Sequence, residues 1–206
     1  SRGLGDVYKR QEDELTNATV NFIRHCYGDG EATIRRDILK ALRTGKTIDS
    51  PRAQDALPYL LEKVPEEFLT KNGIPTNFER AFYEALRLYA LHQQGIDWCV
   101  YETSRPTKEV QDDLGITFFK GLKLLRNKAL ENDSDSKALD RRVQTVIAMT
   151  TFNGTSTSLE QLLGIMKSRI DVKIDYADLA NDLYWLQFDE NCIKRVHFRW
   201  ANQYFG

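Results

Sequence analysis

Apolar residues recur at every third or fourth position through residues 174–205, a spacing that a helix gathers onto one face and a strand scatters over two. Asp175 stands at an N-cap position, and Leu179, Leu183 and Leu186 follow it as one stripe. After a polar turn at 188–191, Ile193, Val196, Trp200 and Tyr204 fall within a narrow arc, while Lys194, Arg195 and Arg199 project elsewhere. The stretch reads as a closing helical hairpin with one face to pack and another that offers cations.

The same period runs upstream. Residues 12–27 carry Leu15, Thr19, Phe22, Ile23 and Cys26 at helical intervals, stopped by Gly28-Asp29-Gly30. The next helix, ended by Gly45, sets Ile34, Ile38 and Leu42 opposite a stripe of Arg36, Lys40 and Arg43, with Arg35 on the border. Ser50 before Pro51 is a helix-start signal, with Leu57, Leu60, Leu61 and Val64 as the buried side and Pro58 as a reason for shortening. Thr76 and Glu79 have the spacing of a capping box ahead of Ala81, Phe82, Ala85, Leu86 and Tyr89.

In residues 114–129, Phe118, Phe119, Leu122 and Leu125 face one way and Lys120 and Lys123 the other. Beyond a polar turn at 132–136, Leu139, Val143, Val146, Ile147 and Thr150 share a face, with Arg141 opposite and Arg142 on the flank. Leu159, Leu162, Leu163 and Met166 mark a further short helix, and Lys167 and Arg169 near its end suit the helix dipole. Strand alternation, repeats and low-complexity tracts are absent, so the fold class is all-α: a helical bundle protein of two packed sub-bundles. The expected division is an N-terminal bundle over 12–96, a connecting segment over 97–113 that contains Pro106, and a C-terminal bundle over 114–206. Residues 1–11 lack helical periodicity, an initiator Met and an apolar h-region, and are expected to be a leader outside the fold, an upstream fragment or a cloning remnant.

A chain of 206 residues can bury a core without staples. Its three cysteines are odd in number and far apart, which suits a reducing cytoplasm and argues against a disulfide framework. No apolar run approaches the roughly 20 residues that span a bilayer. A formal net charge of −1 means that any site for a polyanion must be a local patch.

Enzyme chemistry finds little purchase. His25, His92 and His197 stand apart and no CxxC pair exists, so no metal site is expected. His25 and Cys26 are neighbours, which along a helix point about 100° apart, and packing explains them better than nucleophile and base. His197 lies on the apolar arc of the last helix and reads as a satisfied core histidine. Asp178 and Asp182 suit a solvated helix face and Asp175 a cap. No Gly-rich phosphate loop or Ser-His-Asp arrangement is present, and no catalytic residue or cofactor is assigned.

Exposed cations on helices are usually solvated or paired with nearby acids. Here they recur on the outward faces of separate helices, and aligned faces would make a groove that follows phosphates. Taken with the acidic-aromatic start of the penultimate helix, its Asp178-Leu179 and Trp185, and the closing Arg199-Trp200-Ala201 run to Tyr204-Phe205, the chain resembles the CRISPR-associated Cse2/CasB family. Ile34-Arg35-Arg36, residues 116–122 and Arg141-Arg142-Val143 match its earlier elements in order, whereas residues 57–77 exceed its compact pattern.

The resemblance implies a non-catalytic small subunit of the type I-E Cascade surveillance complex in antiviral defence. Its partners would be the other Cascade subunits, a second copy of itself, and the R-loop of crRNA and target DNA with its displaced or target strand. No membrane and no small-molecule substrate are implied. The implied backbone contacts are Arg35 or Arg36, Lys120, Arg141 and Arg142, and Arg195 or Arg199, with Lys167 as a weaker addition. Two other readings compete: a helical protein–protein adaptor that never meets nucleic acid, and a helical enzyme using His25 and Cys26.

Overall fold

The computed structural model describes residues 2–27, 35–131 and 136–206. Among them are nine α-helices and no named strand: α1 Arg2–Tyr27, α2 Arg36–Thr44, α3 Leu57–Leu61, α4 Asn77–Gln93, α5 Phe118–Glu131, α6 Lys137–Val146, α7 Phe152–Lys167, α8 Tyr176–Trp185 and α9 Glu190–Phe205. No described helix is long and apolar enough to cross a membrane. Two compact units form, one within residues 1–99 completed by Tyr176–Tyr184, the other Val100–Asp175 with Trp185–Gly206. The two arms of the expected closing hairpin therefore belong to different units, and the block over 114–206 gives up most of α8.

The first unit is built on α4, against which α1 and α2 pack. Periodicity assigns α4 one apolar face, yet Phe78, Phe82, Tyr83, Leu86, Leu88 and Tyr89 are all buried, so it is covered on every side. Phe22 of α1 meets Phe82 edge-on at 6.0 Å. Tyr83 donates to the Gly45 carbonyl at 2.7 Å. A Cβ at Gly45 would stand 2.8 Å from the Ala53 backbone, which explains why glycine ends α2.

The helix α1 begins at Arg2, earlier than the apolar spacing marks. Tyr184 donates to Gln11 at 2.7 Å, and Arg10 pairs with Glu67 at the surface, so part of the expected leader is folded into the first unit. The glycine turn at 28–30 and Ile34 lie outside the described residues. Ser50 and Pro51 open only a 3-10 turn, Pro51–Ala53, because the Ser50 hydroxyl donates to Thr47 instead of capping.

The capping box of α4 forms as its spacing predicts: the Glu79 amide donates to the Thr76 hydroxyl at 3.1 Å and the Thr76 amide to Glu79 at 2.7 Å. Thr76 also donates to the Phe68 carbonyl, and Phe68 stacks on Phe78 at 4.6 Å, which fastens the long 57–77 region to the start of α4. Thr76→Ala is expected to cost about 1–2 kcal/mol, read as a thermal midpoint lowered by roughly 2–8 °C.

The second unit packs α5 against α9 and α7, and α6 against α7. Trp200 is fully buried and stacks on Phe119 at 4.5 Å. Three extended segments meet at Ile174, whose amide donates to Val100 at 2.9 Å, while the Ile116 amide reaches Lys173 at 3.0 Å. These are isolated parallel bridges. Asp175, assigned to a cap by its position, accepts from both the amide and the hydroxyl of Ser104 at 2.8 Å.

Candidate nucleic-acid interface

The helices of the second unit fix most of the predicted cations. Thr117 donates to Gln203 at 2.9 Å, one turn before Lys120 on α5 and one turn after Arg199 on α9. Lys120 and Arg199 thus lie one turn from the same α5/α9 contact. Lys120 is exposed and has no partner among the described residues. Lys123, expected beside it as a free cation, is half-buried and donates to the Gly206 carbonyl.

Asp140 anchors α6 to the same seam. Its carboxylate accepts from Arg126 of α5 at 2.9 Å, from the Tyr204 hydroxyl of α9 at 2.8 Å and from Ser136 at 3.2 Å. Burial pushes the Asp140 carboxyl up, but the Tyr204 and Arg126 hydrogen bonds, the Arg126 charge and Ser136 together hold it below the usual carboxylate range. Burial and the bond to Asp140 in turn push the Tyr204 phenol up. Arg141 and Arg142 follow directly, exposed, with no side-chain partner among the described residues. Two exposed cations thereby follow an aspartate that fixes their helix to α5 and α9.

The remaining predicted cations are more committed. Arg195 is exposed, lies 5.8 Å over the Trp185 ring and donates to the Cys192 sulfur at 3.4 Å. Arg199 is half-buried at the edge of a shallow depression lined by Lys194, Arg195, Phe198, Arg199, Asn202 and Gln203. Lys167 ends α7 and is half-buried. Arg35 and Arg36 belong to the first unit. Arg35 makes a two-pronged pair with Asp37 at 3.0 and 3.2 Å and lies 5.7 Å over the Tyr59 ring, while Arg36 is exposed without a partner among the described residues. That pair holds the Asp37 carboxyl low and the Arg35 guanidinium high. Arg43, expected on the same stripe, turns to the Ala90 carbonyl at 3.4 Å, and burial lowers its pKa.

Catalytic alternatives are weakened by geometry. His25 is exposed while Cys26 is fully buried, its thiol pushed up to about 12 chiefly by burial, which suppresses the thiolate a nucleophile needs. His197 differs from the expected satisfied histidine: its Nε2 is buried with no partner among the described residues, and burial lowers its pKa. Asp182, expected to be solvated, is buried in the first unit. The described residues include no cluster of three metal-ligating side chains.

The family described as CRISPR-associated protein Cse2 matches residues 39–205. The chain belongs to the Cse2 family. A Cse2-family protein from Thermus thermophilus is 20% identical with a TM-score of 0.58, covering 93% of this chain and 97% of its own. CasB from Thermobifida fusca is 17% identical with a TM-score of 0.51, covering 83% and 95%. A chain of a CRISPR RNA-guided surveillance complex is 18% identical with a TM-score of 0.55, covering 96% and 93%. No curated protein sequence matches. The Cse2 match begins after Ile34-Arg35-Arg36, so those residues stand outside it, whereas Lys120, Arg141, Arg142, Lys167, Arg195 and Arg199 all fall within it.

Sequence reasoning missed the Asp140 anchor, since an aspartate beside two arginines on a helix looks like surface charge. It also passed over Phe198, which is 70% exposed. The helical period could have found it, because position 198 lies opposite the arc of Val196 and Trp200.

Proposed function

We propose that this Cse2-family chain is a non-catalytic subunit of a CRISPR RNA-guided surveillance complex that stabilises the opened target through contacts to nucleic-acid backbones. The observation that carries the reading is the pair Arg141 and Arg142, exposed and unneutralised on a helix anchored by Asp140. Lys120, Lys167, Arg195 and Arg199 of the second unit are further contacts of the same kind, and so, separately, are Arg36 and Arg35 of the first. Such contacts neutralise phosphates without reading bases, so guide pairing supplies the sequence specificity. Other complex subunits, the guide RNA with its target, and a second copy of the chain are the partners. The Arg35–Asp37 and Lys194–Glu190 pairs are what the adaptor reading anticipates, but Arg141 and Arg142 have no acidic partner among the described residues.

The test is assembly of the complex with guide RNA and target DNA, comparing wild type with Arg141→Ala/Arg142→Ala across a salt series. The variant is expected to join the complex but retain the R-loop less well, with a salt slope shallower by about 1.4–1.8, the worth of two phosphate contacts. A wild type that never joins the complex sinks the reading and favours the adaptor.

A further inference from the structure

The outward face of α9 carries more than charge. Phe198 is 70% exposed at its centre, with Lys194 and Arg195 one turn before it, Arg199 beside it and Asn202 one turn after. These residues line one shallow depression whose exposed surface is largely apolar. The acid nearest in sequence, Glu190, sits at the start of the helix and pairs loosely with Lys194 at 3.5 Å, both side chains mostly in solvent.

An aromatic ring left in water gains free energy when it is covered. A protein partner would have to bring acids to meet Lys194, Arg195 and Arg199 around the ring, and interface cores are depleted in acids and in lysine, although not in arginine. A single-stranded nucleic acid fits better, because a base offers an apolar face to the ring while its flanking phosphates meet the cations. Duplex DNA offers no free base face.

We infer that Phe198 is a stacking platform for an unpaired base of single-stranded nucleic acid, with Lys194, Arg195 and Arg199 holding the phosphates on either side. The inference rests on the nucleic-acid reading above and adds a base-stacking contact that charge alone does not supply. Every base has a stacking face, so the contact is indifferent to sequence.

The test uses the full chain at low ionic strength and a single-stranded oligodeoxythymidine carrying one 2-aminopurine, whose fluorescence quenches on stacking. Phe198→Ala is expected to weaken single-strand binding by about 5- to 150-fold, the range for one lost base–aromatic stack, and to abolish the quench. The salt slope and any duplex affinity should hold, and Phe198→Trp should keep both affinity and quench. If wild type binds with salt dependence and Phe198→Ala binds equally well, the stacking inference is overturned while the backbone reading stands. If Phe198→Ala instead loses assembly with the other subunits at unchanged single-strand affinity, the face belongs to a protein partner and the inference is again overturned. A wild type showing no salt-dependent binding overturns the nucleic-acid reading and this inference together.

Discussion

Arg87→Met should lower the stability of the first unit by about 3–5 kcal/mol, a loss on the scale of truncating a buried aromatic side chain. Arg87 and Glu84 lie one turn apart on α4, with Nε to Oε2 at 3.1 Å and Nη2 to Oε1 at 3.2 Å, and each side chain is only 3% exposed. Removing the guanidinium takes two charge-assisted hydrogen bonds from a carboxylate held away from water, where salt screens little of the cost. Replacing both residues, Glu84→Leu with Arg87→Met, should recover most of the loss, because two apolar side chains need no partner. Urea unfolding followed by circular dichroism measures both variants. A single variant within about 1 kcal/mol of wild type would show that the pair does not hold α4 in place.

This pair also marks where the sequence stopped being legible. The three-to-four spacing fixes which turns of α4 face the core through Phe82, Ala85, Leu86 and Tyr89, and the Thr76–Glu79 cap fixes where it starts. Nothing local announces that a second layer covers the opposite face, where Glu84 and Arg87 are both buried. The tyrosine that opens α8 arrives from far along the chain: Tyr176 meets Tyr89 edge-on at 5.8 Å and shares a hydrogen bond with Nδ1 of His92 at 2.8 Å. Asn181 of the same helix donates to Thr16 of α1 at 2.8 Å. A hairpin reading of residues 174–205 assumes that neighbours in sequence pack together, and α8 instead completes the first unit because its buried side finds α1 and α4. In α9 the apolar arc was legible, yet Cys192 is buried and Ile193 only half-buried, a shift of one position that periodicity alone does not resolve. The cations were legible as residues but not as a surface, since Arg35, Arg43 and Lys123 are claimed by groups within the fold.

Asp140→Ala separates position from charge at the candidate interface. Asp140 ties Arg126, Tyr204 and Ser136 together, and its loss should cost about 2–4 kcal/mol, since hydrogen bonds to a charged group contribute about 1.5–3 kcal/mol each. Part of the loss is recovered because Arg126 remains near the faces of Tyr204 and Phe205, at 5.7 and 5.8 Å. Asp140→Asn keeps an acceptor for Tyr204 and should lose about half as much. The carboxyl is held below its ordinary range in the folded chain, so its stabilisation is present above the unfolded pKa of about 4 and drains away as pH falls through the lower folded value. Wild type should therefore loosen around α6 below about pH 4 by a step that Asp140→Asn lacks, visible as a difference between their acid unfolding curves. For nucleic acid, simple electrostatics predicts that removing a negative charge beside Arg141 and Arg142 tightens binding. If what Asp140 supplies is the placement of α6, the alanine variant instead retains the R-loop less well than wild type, although it carries one more net positive charge. Tighter retention by Asp140→Ala would mean that the two arginines act as diffuse charge and need no fixed place on the α5/α9 seam.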